Sequence, residues 1–429
     1  MKMLPYGKMK HLFSFLLGVF LLQFTIGKQW IHHVITTLVC YAIFLIVPIH
    51  HAKKIVPVFV MVYVTLGHFH RQYMNYLGWD MDFTGSQMVL TMKLYSLAYN
   101  LYDGKVLAEG TADKASKKCA PYAVDKLPGI IEYLGYTFCF ANVLAGPAYE
   151  YKSYSTACDG SKLFDKNGKP LGKIPSCVYP TLKAFFISLL CLVTFVVGNG
   201  KFPLLDPNDP QVNLPMVLKP EFLTNPWLKR YLYAWVSLFF VRQKYYFAWK
   251  NAEGANNIWY AGFEGFDSEG KPLSWENSNN VDIFEFETAS NVKSLTAAWN
   301  KKTANWLGRY VYIRTGGSLL LTYGLSAFWH GLYPGYYMFF MSVPILTACE
   351  RLGRKKISPY FSSKKWSPYG IFSIFCTQFL VEYLVLSFQL LSFEWAYACW
   401  KSHYFFGHIV FVLFFLIVSR LPTPKKKSA

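Results

Sequence analysis

The sequence predicts an all-α fold, a polytopic bundle of transmembrane helices with further amphipathic helices at the membrane interface. Hydrophobic residues make up 53% of the 429 residues and charged residues only 16%, below the roughly 25% of typical soluble domains. Apolar runs that approach the roughly 20 residues needed to cross a bilayer recur along the chain. Such a chain cannot bury its apolar surface in one soluble core. We therefore expect a single integral membrane domain over residues 1–429, with about 8–11 spans.

The expected spans alternate with polar loops. The first apolar run lacks a small-residue cleavage site, so we interpret it as a retained span and not as a removed signal peptide. The segment 88–101 is moderately apolar, and it either spans the membrane or lies at the interface. The clear span candidates are 12–26, 31–48, 55–67, 130–148, 182–197, 228–246, 318–348, 371–391 and 405–418.

The segment 291–314 has apolar and aromatic residues at steps of three and four, which places them on one face of a helix. Lysines and arginines are excluded from that face. We expect one amphipathic helix at the interface, anchored by its Trp and Tyr side chains, with Asn300 at the edge of the buried face. The face comprises Val292, Leu295, Trp299, Thr303, Trp306, Tyr310 and Ile313.

The net charge of +19 comes from short runs of Lys and Arg outside the apolar segments. Retention of basic residues in cytosolic loops explains most of these runs, and attraction to anionic headgroups or to a polyphosphate cosubstrate is the alternative. A nucleic-acid partner is excluded, because no basic soluble module exists to bind it. The basic tail 425–429 contains Lys426 and Lys427 and fits a dilysine retrieval signal for the endoplasmic reticulum, which would place the C-terminus in the cytosol. A plain basic stop after the last span predicts the same residues.

The nine cysteines show no regular spacing, so the sequence supports neither a zinc site nor a disulfide framework. Cys158 and Cys177 flank a polar loop and could pair if that loop is lumenal.

His330 lies inside the apolar run 318–348. An ionisable group at hydrocarbon depth costs free energy unless it faces a partner, a cavity or a substrate, and imidazole exchanges a proton near neutral pH. Pro334 and Gly335 should break the helix just after it, which a membrane tolerates only where the freed backbone groups meet protein or a cavity. The plainer alternative is a histidine in a hydrogen bond between helices.

His330 and Asn300 together suit acyl transfer to a hydroxyl. Such a reaction needs a base for the attacking hydroxyl and an N–H donor for the carbonyl oxygen under attack. His330 fits the first role, and Asn300 fits the second or binds substrate. No Ser or Cys occurs in a G-x-S-x-G setting, which favours direct transfer over a covalent intermediate. Asn300 could equally be a polar residue capping an interfacial helix.

Two motifs carry a family resemblance. They are Trp299-Asn300-x-x-Thr303-x-x-Trp306 and Ser326-Ala327-x-Trp329-His330-Gly331-x-Tyr333-Pro334. The chain resembles the membrane-bound O-acyltransferase (MBOAT) family over roughly residues 75–395. The stretches 81–88, 127–136, 145–150 and 244–249 are similar to its lysophospholipid acyltransferase branch, particularly the lysophosphatidylcholine type.

The resemblance implies an enzyme of the endoplasmic reticulum membrane that transfers a fatty acyl group from acyl-CoA to the free hydroxyl of a lysophospholipid. The family's matching His is catalytic, with the Asn beside it, in a central chamber. Acyl-CoA is then a cosubstrate, and neither a metal nor a further cofactor is required. Glu132 and Glu150 match acidic positions of the family, where either headgroup binding or solvation of a helix end would explain them. The residues that would line the chamber, or else serve only in packing, are Trp299, Thr303, Trp306, Tyr310, Trp329, Tyr333 and Pro334.

Two alternatives remain at the level of the sequence. One is another member of the same family, acylating a sterol, a diacylglycerol or a protein. The other is a transporter that uses His330 as a proton relay, although the paired repeats typical of transporters are not visible.

Overall fold

The computed structural model describes residues 5–78, 80–208, 214–362 and 364–424, and these residues form eighteen α-helices. The predicted basic tail with Lys426 and Lys427 lies outside the described residues. The first nine helices are α1 Lys8–Ile26, α2 Ile31–Ile46, α3 Ile49–Met74, α4 Phe83–Ala108, α5 Lys114–Cys119, α6 Ile130–Thr137, α7 Tyr151–Asp159, α8 Val178–Lys201 and α9 Pro220–Leu223. The remaining nine are α10 Trp227–Ile258, α11 Ile283–Glu287, α12 Val292–Ala298, α13 Lys301–Leu307, α14 Leu319–His330, α15 Pro334–Lys356, α16 Pro368–Leu390, α17 Phe393–Ser402 and α18 Phe406–Arg420.

The predicted all-α membrane fold is confirmed, although fewer helices than expected are plainly apolar. Within the described residues, four segments are long and apolar enough to cross a membrane: Lys8–Ile46, which contains α1 and α2, and the helices α3, α8 and α16. The bent pair α17 and α18 makes a fifth if it is counted as one span. The sequence-based estimate of about 8–11 spans exceeds this number for two reasons. Some of the apolar runs are interrupted in the structure, and others belong to helices that also contain many polar residues.

The chain divides into two compact units. The first unit contains Met1–Leu190, Tyr246–Val281 and Asn300–Ser318, and the second contains Cys191–Tyr245, Asp282–Trp299 and Leu319–Ala429. Asn300 therefore belongs to the first unit and His330 to the second.

Helix α4 is the core of the first unit. Leu90, Leu94 and Leu97 are almost fully buried in a cluster that also contains residues of α2 and α3. The polar residues Lys93, Asn100 and Asp103 of the same helix are buried as well. Burial of a polar group is costly unless it is hydrogen-bonded. We therefore expect these three side chains to form hydrogen bonds or ion pairs with other segments of the chain. The segment 88–101, which the sequence left between a span and an interfacial helix, is thus the middle of a buried helix.

The predicted span 130–148 is wrong. Helix α6 ends at Thr137, and the chain continues through turns that are largely buried. The carbonyl groups freed at a helix end need donors when they are shielded from water. Lys93 of α4 supplies them, since its Nζ donates to Tyr136 O at 2.8 Å, to Thr137 O at 3.3 Å and to Asn142 Oδ1 at 2.6 Å.

The run 318–348 is also two helices and not one, and here the predicted break after His330 is confirmed. Helix α14 ends at His330, Gly331 has φ 132°, and α15 begins at Pro334. The start of α15 lies against the end of α16 in the second unit, where Gly335 N donates to Leu391 O at 2.7 Å. A Cβ atom at Gly335 would lie 2.1 Å from Ser387 O, so only glycine permits this approach.

All nine cysteines lie among the described residues and are free. The pairing of Cys158 with Cys177, which the sequence left open, therefore does not occur.

Candidate functional site

The segment that carries Asn300 is broken at that residue. Trp299 is extended, and Asn300 has φ 45° and ψ 48°, in the left-handed region. The expected single helix over 291–314 is therefore wrong. Asparagine enters the left-handed region more readily than most residues, and its short amide competes with helical hydrogen bonds. The predicted buried face is retained on both sides of the break, because Val292 and Leu295 of α12 and Thr303 and Trp306 of α13 are all buried.

A buried polar network holds the chain that follows Asn300 against α4 in the first unit. The Glu150 carboxylate accepts hydrogen bonds from Asn100 Nδ2 at 2.8 Å, from the Tyr310 hydroxyl at 2.8 Å and from Arg309 at 2.7 Å. The Tyr310 hydroxyl also lies 2.7 Å from Asn100 Oδ1. Glu150 is 4% exposed, so solvation of a helix end does not explain this residue.

A second ion pair in the first unit joins Arg314 to Asp103 at 2.5 Å, and Asp103 is completely buried. The guanidinium of Arg314 also lies 4.2 Å from the ring centre of Tyr99, within the range of a cation–π contact. Arg309 and Arg314 lie outside the predicted apolar face of the segment 291–314, yet both are paired with buried acids.

Three of the predicted chamber residues make packing contacts in the first unit. Thr303 Oγ1 lies 3.6 Å from Met92 Sδ. Trp306 packs edge-on against Tyr95, with ring centres 5.3 Å apart. Tyr310 belongs to the polar network around Glu150. Each of them fixes the chain after Asn300 against α4.

Trp299, just before Asn300, belongs to the second unit and packs against Phe286 and Tyr245, with ring centres 4.8 Å and 5.8 Å away. Its surroundings are held by Arg242, which makes two hydrogen bonds to Glu287 at 2.7 Å and 2.8 Å. Arg242 also donates to the buried Glu382 of α16.

Sequence reasoning did not single out Arg242, Glu287 or Glu382. Arg242 and Glu382 lie inside the apolar runs 228–246 and 371–391, and a charge within such a run is the signal that could have identified them.

His330 ends α14 in the second unit and is half-buried. Its ring stacks on Phe340 at 5.3 Å and meets Phe388 edge-on at 5.0 Å. The rings of Trp329 and Tyr336 lie 4.8 Å and 5.6 Å away. Aromatic rings on several sides restrict the imidazole to few orientations.

The predicted neighbours of His330 lie on both sides of the helix break. Trp329 and Tyr333 are buried, and Pro334 is the first residue of α15.

Chemically, the arrangement offers one imidazole that can take up a proton at a fixed place within an apolar environment. No group of three or more His, Cys, Asp or Glu side chains suited to a metal ion occurs in the described part of the chain.

Comparison with known proteins gives a consistent result. Residues 17–389 match the family model of MBOAT, the membrane-bound O-acyltransferase family. The chain is 31% identical over 438 residues to the lysophospholipid acyltransferase of Schizosaccharomyces pombe, which covers 97% of this chain and 82% of that protein. It is 32% identical over 431 residues to the membrane-bound glycerophospholipid O-acyltransferase 2 of Gallus gallus (97% and 80% covered). It is also 31% identical over 425 residues to the glycerophospholipid O-acyltransferase 1 of Homo sapiens (96% and 83%).

Proposed function

The chain belongs to the membrane-bound O-acyltransferase family, and on that premise we propose that it transfers a fatty acyl group from acyl-CoA to the free hydroxyl of a lysophospholipid. Lysophosphatidylcholine is the proposed acceptor, and the endoplasmic reticulum membrane, with a cytosolic C-terminus, is the proposed location. The names of similar proteins support the lysophospholipid acceptor. The observation that carries the chemistry is His330, a half-buried imidazole fixed by aromatic rings at a break in an apolar helix.

In the proposed reaction His330 is the general base. Its ring nitrogen takes the proton from the acceptor hydroxyl as the oxygen attacks the thioester carbonyl. An ester C–O bond forms and the thioester C–S bond breaks, and the departing sulfur of CoA recovers a proton from the imidazolium. The thioester is already activated, so the step needs no further energy source.

Asn300 is the proposed donor to the carbonyl oxygen, which becomes negatively charged during the attack. A fixed amide N–H stabilises that charge more in the transition state than in the ground state. The left-handed backbone of Asn300 offers a different explanation for an asparagine at this position, because the conformation alone favours Asn or Gly. An experiment must separate the two.

The test for His330 uses membranes that contain the full chain, labelled acyl-CoA and lysophosphatidylcholine. We expect His330→Ala to abolish acyl incorporation at normal abundance. His51→Ala is the matched control, because His51 is an exposed residue of α3 and its loss should leave the rate unchanged. Undiminished incorporation by His330→Ala would overturn the proposed role of His330 as the general base.

The test for Asn300 compares Asn300→Gly with Asn300→Ala. Glycine retains the left-handed conformation without strain, whereas alanine adds about 1–2 kcal/mol. If the amide is the donor, both variants lose roughly 10²–10³-fold in kcat, the effect of removing one oxyanion donor. A fully active Asn300→Gly variant would show that only the backbone conformation matters.

The predicted lining residues are proposed to bind substrate on the same basis. Trp329 contacts the ring of His330, Tyr333 and Pro334 follow His330 closely in the sequence, and Trp299 directly precedes Asn300. The packing of Thr303, Trp306 and Tyr310 gives these three a supporting role. Competition between mixed lysolipids and mixed acyl-CoAs tests the acceptor and donor classes directly. Faster acylation of a sterol, a diacylglycerol or a protein added to the same mixture would contradict the proposed substrate.

A further inference from the structure

Asn280 is a buried residue of the first unit, 2% exposed, in the segment between α10 and α11. It makes three hydrogen bonds to consecutive residues at the start of α13. Its backbone oxygen accepts from Lys301 N at 2.9 Å, its Oδ1 accepts from Lys302 N at 2.9 Å, and its Nδ2 donates to Asn300 Oδ1 at 3.1 Å. Asn300, at the N-cap position of α13, makes no side-chain capping bond of its own. Asn280 thus caps this helix from a distant part of the sequence.

These bonds fix the orientation of both amides. A backbone N–H can only donate, so the Asn280 atom that faces Lys302 N must be the oxygen. The other atom of that amide is then the nitrogen, which can only donate. The Asn300 atom facing it must therefore be the oxygen Oδ1, and the Asn300 Nδ2 is directed to the opposite side. One backbone N–H thereby sets the direction of the Asn300 donor group.

We propose that Asn280 is a positioning residue for acyl transfer, because it holds the Asn300 amide with its NH₂ group turned toward the acyl carbonyl oxygen. This inference rests on the proposed function of Asn300 as the oxyanion donor. The backbone of Asn300 is already fixed by the helix break, so rotation of the amide is the freedom that remains, and a 180° rotation would exchange the donor for an acceptor. An acceptor facing the developing oxyanion would repel it.

The test exploits the difference between amide and carboxylate. In Asn280→Asp one carboxylate oxygen still accepts from Lys302 N, and Asp caps helices as well as Asn does. The other oxygen can no longer donate, so it draws the Asn300 NH₂ group toward itself and turns the amide around. We expect kcat to fall by roughly 10²-fold or more, toward the level of Asn300→Gly, with little change in KM and normal abundance.

Asn280→Ala is the second variant, and the order of the two decides the question. Alanine removes the side-chain bonds to Lys302 N and Asn300 but keeps the backbone bond to Lys301 N. The Asn300 amide is then free to adopt either orientation, so the loss of kcat should be smaller than that of Asn280→Asp. A purely structural cap predicts the opposite order, with Asn280→Asp near wild type and Asn280→Ala worse. That opposite order would overturn the proposal, and it can be measured even if one variant folds poorly, since rates are normalised to folded protein.

The matched control is Asn291→Asp, the same substitution at the N-cap of α12, where Asn291 Oδ1 accepts from Ser294 N at 2.8 Å. It should leave kcat unchanged. The double variant Asn280→Asp with Asn300→Gly should be no slower than Asn300→Gly alone, whereas multiplied losses would contradict action through Asn300. Full activity of Asn300→Gly would refute the oxyanion role itself. An impaired Asn300→Gly beside a normal Asn280→Asp would refute only the inference about Asn280.

Discussion

Removing the buried carboxylate of Glu150 should destabilise the protein strongly. Its partner Arg309 has a side chain only 16% exposed, and the side chain of Glu150 is 5% exposed. Breaking a buried ion pair by removing one partner costs about 3–5 kcal/mol, because it leaves an uncompensated charge. Glu150→Ala also deprives Asn100 and Tyr310 of their acceptor. A loss of this size is a large part of the 5–15 kcal/mol by which folded proteins are usually stable.

Glu150→Gln separates charge from shape. It retains the volume and one acceptor oxygen but still leaves the charge of Arg309 without its partner, so its cost should stay at about 3–5 kcal/mol, the cost of a broken buried pair. It should fall below the cost of Glu150→Ala only by the hydrogen bonds that the retained oxygen accepts. The double variant Glu150→Gln with Arg309→Gln should lose less free energy of unfolding than the two single variants together. The reason is that the double variant leaves no buried charge without its partner.

The free cysteines provide the assay. Seven of the nine are buried and two are partly exposed, so heating the purified protein in detergent with a thiol-reactive fluorophore reports unfolding as the buried thiols become accessible. The matched control is Glu269→Gln, which breaks an exposed pair with Lys271 at the same 2.7 Å separation and should barely shift Tm. A Glu150→Ala variant that melts with the wild type would refute the account of Glu150 as the residue that holds Gly308–Tyr312 against α4.

Two further predictions use the same thermal assay. Gly335→Ala should cost about 1–3 kcal/mol through overpacking, because the new methyl meets backbone oxygens of Ser387 and Leu391 at 2.1 Å and 2.7 Å; Gly324→Ala has no atom within 4 Å and is the control. An unchanged Tm for Gly335→Ala would contradict the close approach of α15 and α16. Burial, with the nearby Lys302, lowers the pKa of Lys162 to about 8 from its ordinary 10.5. The unfolded chain then binds more protons between these two pH values, so the free energy of unfolding should rise with pH across this window relative to Lys162→Met. Parallel pH curves for the two proteins would contradict that shift.

The sequence predicted the parts of this fold that depend on local pattern. Apolar runs gave the long helices α8, α16 and α18, and the Pro-Gly pair after His330 gave the end of α14. The same reasoning failed for 130–148 and for 291–314. In the first, the helix can end early because Lys93, 43 residues upstream of Tyr136, satisfies the freed carbonyls. In the second, Asn300 enters the left-handed region because Asn280 caps the next helix. Both depend on contacts between distant residues, which periodicity cannot reveal.

The residues of the candidate site also differ in whether the sequence could identify them. His330 could be singled out because it lies inside an apolar run, and Asn300 because it lies at the edge of a predicted buried helix face. Asn280 could not, since it lies in a polar loop where an asparagine is ordinary, and its significance comes only from the three atoms it faces. The partners of Arg309 and Arg314 were equally out of reach, because helical periodicity assigns a side to a residue but not a counter-ion.

The environment of Lys93 restricts what can replace it. A lysine ammonium carries three hydrogens, and three oxygens surround this one, two from the end of α6 and one from Asn142. Donors and acceptors therefore match one to one. Arginine, often regarded as the conservative exchange, would bring five donors in a rigid plane and leave two of them without acceptors in a completely enclosed space. At this position a change of cation should be as damaging as a loss of charge, so lysine is specified here by its number of hydrogens.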